Sequence, residues 1–112
     1  MDFRELFRNL DQRPTMFLPD TRYNTVVAFV EGCNAATDRE LLRGFSGWVH
    51  DRILGYRSNF HWQAVIAAKY LSGKLDERWQ ESIKDESFHD LASHELLAQL
   101  DDFLAARVQD LP

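Results

Sequence analysis

The chain predicts an all-α fold, a single-domain bundle of five or six helices over residues 1–112, on three observations. Apolar residues recur at three- and four-residue spacing along most of the chain. No run alternates at period two for more than a few residues, as strands would require. Gly, Pro, Asn and Asp fall between the periodic segments, where they start and stop helices. With 112 residues, 45% of them hydrophobic, and 8 Phe, 3 Tyr and 3 Trp, the chain can bury one core without disulfides or metal. It contains no internal repeat and no low-complexity linker.

Each helix has its own warrant. Phe3, Leu6, Phe7 and Leu10 fall at i, i+3, i+4 and i+7, the stripe of a first helix with Asp2 as its cap. Pro14 and Pro19 bracket a connector too punctuated for helix, and its Met16, Phe17 and Leu18 are expected to plug the core. Asp20 or Thr21 caps a second helix, with Tyr23, Val26, Val27 and Val30 on one side and an end near Gly32 or Asn34. Thr37 or Asp38 opens a third, along which Leu41, Leu42, Phe45, Trp48, Val49 and Ile53 keep helical spacing until Gly55. Gly44 and Gly47 lie inside it, each costing up to about 1 kcal/mol relative to alanine. A close helix–helix approach is the expected compensation. Asn59 caps a fourth helix carrying Trp62, Val65, Ile66 and Tyr70, stopped at Gly73. Leu75, Trp79 and Ile83, four apart, mark a short helix. The last begins at Ser87 or Asp90 and carries Leu91, Leu97, Leu100, Phe103, Leu104 and Val108.

Charge is the most informative functional feature. Residues 1–60 hold eight acids and eight bases, so the whole net charge of −5 belongs to residues 61–112. Asp76, Glu77, Glu81, Asp85, Glu86, Asp90, Glu95, Asp101 and Asp102 crowd together there, with only Arg78 and Lys84 among them. A one-sided negative surface points to a basic partner reached by electrostatic steering. The candidate partner-binding residues are Asp76, Glu77, Glu81, Asp85, Glu86 and Asp90. Trp79 and Phe88 lie between these acids. Exposed, they would be anchors for a partner, although the spacing of Trp79 with Leu75 and Ile83 makes it a core residue.

Other chemistry is thinly represented. Nucleic acid is disfavoured as a partner, because phosphates demand a basic face. The longest apolar runs, such as Val26–Val30, are too short to span a bilayer. The N-terminus lacks the basic start and unbroken apolar stretch of a signal peptide, so a cytoplasmic location is expected. Cys33 sits among small and apolar residues and is expected to be a buried, reduced thiol. Gly44-Phe45-Ser46-Gly47 approaches a nucleophile elbow, but its second glycine comes one residue early and no strand precedes it. His89 and His94, about 140° apart on a helix, cannot chelate one ion. His50 and His61 show no ligand spacing either, and all four histidines are expected at the surface or in caps. No catalytic residue, metal site or cofactor is assigned; His50, Asp51 and His61 are the least implausible for catalysis.

Arg13-Pro14-Thr15-Met16-Phe17-Leu18 resembles the R-P-G-M-[YF]-[IL] segment of two unlike groups. One is the ATPase domain of type II topoisomerases, whose strands, metal-binding asparagine and glycine-rich lid have no counterpart here. The other is a set of small helical bacterial immunity proteins encoded beside polymorphic or contact-dependent growth-inhibition toxins. That second resemblance extends from Phe7 to about Ile66, through Phe29-x-x-Gly32, Phe45-x-x-Trp48-Val49 and Trp62-x-x-x-Ile66. Thr15 stands where the pattern favours glycine. The resemblance implies a protein that neutralises a cognate toxin domain, for which a basic nuclease would match the acidic stretch. A small helical regulator or adaptor, binding a basic partner or its own copy, is the alternative. Neither reading involves catalysis by this chain.

Overall fold

The long C-terminal helix organises the molecule. The computed structural model describes residues 1–73 and 75–109, with five α-helices: α1 (Phe3–Gln12), α2 (Tyr23–Ala36), α3 (Phe45–Val49), α4 (Trp62–Ala67) and α5 (Ser87–Gln109). No strand occurs among the described residues. α5 packs against all four other helices. Its Ala92, Leu96, Leu100 and Phe103 are buried at spacings of four, four and three, one continuous seam facing the core. The fold is all-α, as the periodicity predicts.

α1 starts where expected, with the Asp2 carboxylate accepting the Glu5 N–H at 3.1 Å. Phe7 and Leu10 of its stripe are buried. The connector after it forms a single 3-10 turn over Pro14–Met16. Only Leu18 of its apolar residues enters the core, at 9% exposure, while Met16 is 69% and Phe17 38% exposed. The turn closes through the Phe17 and Leu18 N–H groups on the Pro14 carbonyl, leaving Met16 and Phe17 on the outside.

α2 runs past Gly32 and Asn34 to Ala36, so neither residue stops it. Asp20 sits just ahead of the helix, accepting the Arg22 N–H at 2.9 Å and the Thr25 hydroxyl at 2.6 Å. The Tyr23 N–H is capped from afar by His89 Nδ1 at 3.0 Å, which holds α2 to the start of α5.

The expected third helix is broken. Residues 37–39 and 41–44 are turns, Asp38 and Arg39 adopt φ of 54° and 66°, and Gly44 takes φ 85° as the residue before α3. Two distant groups satisfy the backbone that a helix would have paired. The buried Asn34 side chain accepts the Leu42 N–H, and the Arg107 guanidinium donates to the Glu40 and Leu41 carbonyls. α3 continues into a π-helical turn, His50–Leu54, ended by Gly55 at φ 78°. Gly47 serves no helix–helix contact: a Cβ there would collide with the Arg57 guanidinium.

Further along, His61 rather than Asn59 caps α4, its Nδ1 accepting the Gln63 N–H at 3.0 Å. α4 passes into a 3-10 turn at Ala68–Tyr70, short of Gly73. The expected helix from Leu75 to Ile83 contracts to a 3-10 turn over Trp79–Ser82. In α5, Leu91 points outward at 49% exposure, and the Val108 side chain lies outside the described residues. Trp62 is buried against Phe45, whereas Trp48 is half-buried between Phe103 and the Arg52 guanidinium. Cys33 is half-buried rather than buried, and what burial it has raises its thiol pKa.

Candidate functional site

The acids that crowd together in sequence divide into two groups in space. Glu95, Asp101 and Asp102 meet cations carried in by other helices. Arg4 Nε and Arg8 Nη2 of α1 lie 3.0 and 3.3 Å from Asp101 Oδ1. Arg52 of the π turn reaches Asp102 at 3.2 Å. Lys69 Nζ and the Tyr70 hydroxyl both donate to Glu95 Oε1 at 2.8 Å, and Gln99 donates to its other oxygen at 2.9 Å. Burial pushes the Glu95 carboxyl up, but these three donors together outweigh it and hold it below its ordinary value. The hydrogen bond from Arg4 does the same for Asp101 against a smaller cost of burial. Tyr70, partly desolvated and then bonded to that carboxylate, is pushed up to about 12.

The six candidate partner-binding residues behave differently. Asp76, Glu77, Glu81, Asp85, Glu86 and Asp90 are all exposed. Arg78 pairs with Glu81 at 2.7 Å. Among the described residues, no cation forms an ion pair with Asp76, Glu77, Asp85, Glu86 or Asp90. Two of these acids also shape the backbone. The Asp76 carboxylate accepts the Arg78 N–H at 2.8 Å, and Asp85 accepts the Ser87 N–H at 3.0 Å where α5 begins. The Ser87 N–H, then its hydroxyl, keep Asp85 below the usual carboxylate range. These acids occupy the stretch between the α4 end and the first turn of α5, an acidic edge.

Trp79 and Phe88 do not project from this edge. Both are buried and stack edge-on against Tyr23 at 6.5 and 5.7 Å, so they belong to the core and are not anchors. The exposed apolar residue of the edge is Leu91, beside Asp90. It was missed as a surface residue because it falls near the apolar stripe of α5.

No protein-family model matches the chain, and neither a curated protein nor a solved structure does. The site therefore has to be read from its own geometry.

The histidines, expected at the surface or in caps, split as well. His61 and His94 are exposed, the second with Nδ1 at 3.0 Å from Asp11. His50 and His89 are buried; His89 is nonetheless a cap, accepting the Tyr23 N–H at the start of α2, so His50, held by Ser58, is the one that departs from the expectation. His50 Nδ1 faces the Ser46 carbonyl at 2.8 Å and must donate to it, leaving Nε2 to accept the Ser58 hydroxyl at 2.7 Å. A serine hydroxyl on an oriented imidazole is the start of a nucleophilic relay. Here the pair pins the Gly55–Phe60 loop to the π turn, and Asp51 turns instead to Arg57 at 3.1 Å. The three residues weighed for catalysis are thus engaged with different partners, His61 with Gln63 and Glu31. Among the described residues, no group of three or more His, Cys, Asp or Glu side chains is placed to hold a metal ion. No described helix is long and apolar enough to cross a membrane.

A pocket the sequence did not reveal lies beside Asp90. It opens between α1, the connector and the first turns of α5, and encloses about 240 Å³. Asp90, Ser93, His94 and Leu97 line it at helical spacing. That spacing was legible in principle, but the stripe is mostly polar and reads as a solvated face.

Proposed function

We propose that the chain is a binding protein that inhibits a basic partner by covering it with the acidic edge. Within that class, we propose a cytosolic immunity protein acting on the toxin domain encoded beside it, a basic nuclease being the best electrostatic match. The observation that supports this reading is the division among the acids: one group is answered by cations across the fold, while on the exposed edge only Glu81 has an ion-pair partner, its neighbour Arg78, among the described residues. A nuclease gripping phosphate presents a cationic cleft, and Asp76, Glu77, Glu81, Asp85, Glu86 and Asp90 would occupy it in place of nucleic acid. Inhibition is then occlusion, with no bond made or broken by the inhibitor. Exposed charges of this kind set the association rate, while desolvated anchors set dissociation. Leu91 is the apolar residue placed to be such an anchor. A tight complex would bury roughly 1,600 Å² in total.

Co-expression tests this directly. Cells producing the neighbouring toxin domain should survive when the wild-type chain is present, and the two proteins should co-purify. Death of the cells, with no complex recovered, would rule out the immunity reading.

A further inference from the structure

We propose that the cavity beside Asp90 is the receptor for a single arginine side chain of the basic partner. This rests on the acidic-edge reading and names a place where the partner would be gripped rather than merely attracted. The floor is apolar: Leu10, Val26 and Leu97 line the cavity and are themselves 1%, 2% and 5% exposed. Its walls carry charge from two helices, Asp11 from α1 and Asp90 from α5, and His94 of α5 also lines it. Ser93 also lines it, and the Ser93 hydroxyl is buried without a hydrogen-bond partner.

Size and chemistry together select the occupant. At about 240 Å³ the cavity falls below the range of roughly 300–1,000 Å³ typical of small-molecule and cofactor sites. It suits one long side chain whose methylene stem lies on an apolar floor while its charged head meets acids at the wall. Arginine fits better than lysine because its planar fork can donate to two carboxylates held on different helices, where an ammonium is a single point of charge. Asp90 is available for this role, having no ion-pair partner among the described residues. Among the described residues Asp11 is engaged only with His94, 3.0 Å away, whose own side chain is 72% exposed. Pro14 forms part of the rim. The exposed Met16 and Phe17 lie two and three residues after it in the chain and would flank the incoming segment.

The test uses the full chain, labelled with ¹⁵N, titrated with N-acetylarginine methylamide, its lysine counterpart and its neutral citrulline counterpart. Arginine should produce saturable shifts at the amides of Asp11, Asp90, Ser93 and His94. Citrulline should bind at least about tenfold more weakly, the effect of losing one charge-assisted interaction. Asp90→Asn should weaken arginine binding by a similar factor, with Asp11→Asn as a second variant on the opposite wall. Asp38→Asn, an acid in the turn before α3, should leave it unchanged. Absence of saturable shifts, equal binding of citrulline, or shifts confined to residues 76–86 would each overturn the proposal. Because no toxin enters the titration, its failure retires the cavity alone, whereas failure of co-expression rescue retires the inhibitory function.

Discussion

Glu95, Asp101 and Asp102 stand close in sequence to Asp85, Glu86 and Asp90, yet the two groups have opposite fates. The first three sit on the middle turns of α5, where α1, the π turn and the 3-10 turn after α4 deliver Arg4, Arg8, Arg52 and Lys69 against them. The second three lie where α5 begins, and no described cation pairs with them. Density of charge along a chain is therefore no guide to density on its surface. A helix that packs on four neighbours has some acids neutralised by those neighbours, and what remains at its exposed end is the effective charge. The apparent segregation of bases into residues 1–60 is partly undone by folding.

That contrast can be attacked at its structural root first. Glu95, Asp101 and Asp102 clamp α5 to its neighbours, and these clamp acids reach their cations only if the buried seam of α5 holds; Phe103 anchors it against Phe45 and Trp48 at 5.3 and 5.7 Å. Phe103→Ala should destabilise the fold by about 3–5 kcal/mol in a urea titration. A loss below about 1 kcal/mol would mean α5 is not the organising helix.

A smaller effect is expected at Glu95, whose side chain is only 13% exposed. Glu95→Gln should cost about 1–2 kcal/mol near neutral pH, since charge-assisted bonds from Lys69 and Tyr70 are weakened. The sign of the pH dependence follows from the depressed carboxyl. Its stabilisation is complete above the unfolded glutamate value, about pH 4.3, and fades as pH falls through the lower folded value. The variant should therefore show a flatter loss of stability on acidification, and a parallel curve would contradict the clamp.

Smaller still is the effect at Asp101, whose partners are substantially solvated. Asp101→Asn should cost no more than about 1 kcal/mol, the range of partly exposed ion pairs. High salt should reduce the difference between variant and wild type. A salt-independent difference would show that Asp101 acts through packing instead.

Much of this was legible in the sequence, and the failures have local causes. Helical spacing identified the elements because burial on one face imposes it, and Phe7, Val30, Phe45, Ile66 and Leu100 all proved to be core. The phase of α5 slipped at its first turn because Leu91 outweighs Ala92 on any hydrophobic reading, although Ala92 is the buried one. The broken third helix was invisible because its turn is held by Asn34 and Arg107, the latter 66 residues away from Leu41. Met16 and Phe17 misled for the opposite reason, as apolar residues left outside by a tight proline turn. The acidic edge was legible as composition. Which of its neighbours would be neutralised was not, because ion pairs between α1 and α5 depend on packing rather than on spacing.

The most direct test compares the two acid groups in one kinetic experiment with the toxin domain. One variant replaces Asp76, Glu77, Glu81, Asp85, Glu86 and Asp90 with their amides; the other carries Asp101→Asn and Asp102→Asn. Association rates are measured from low salt to about 0.15 M, where the screening length is about 8 Å. The edge variant should associate more slowly and lose most of its salt dependence, with a denaturation midpoint close to wild type because the amide oxygens of Asp76→Asn and Asp85→Asn can still accept the Arg78 and Ser87 N–H groups, while the clamp variant should associate like wild type. Equal kinetics for wild type and edge variant would contradict the account, leaving those six acids as a solvated face and moving the search to the Gly55–Phe60 loop, where Tyr56 is 63% exposed.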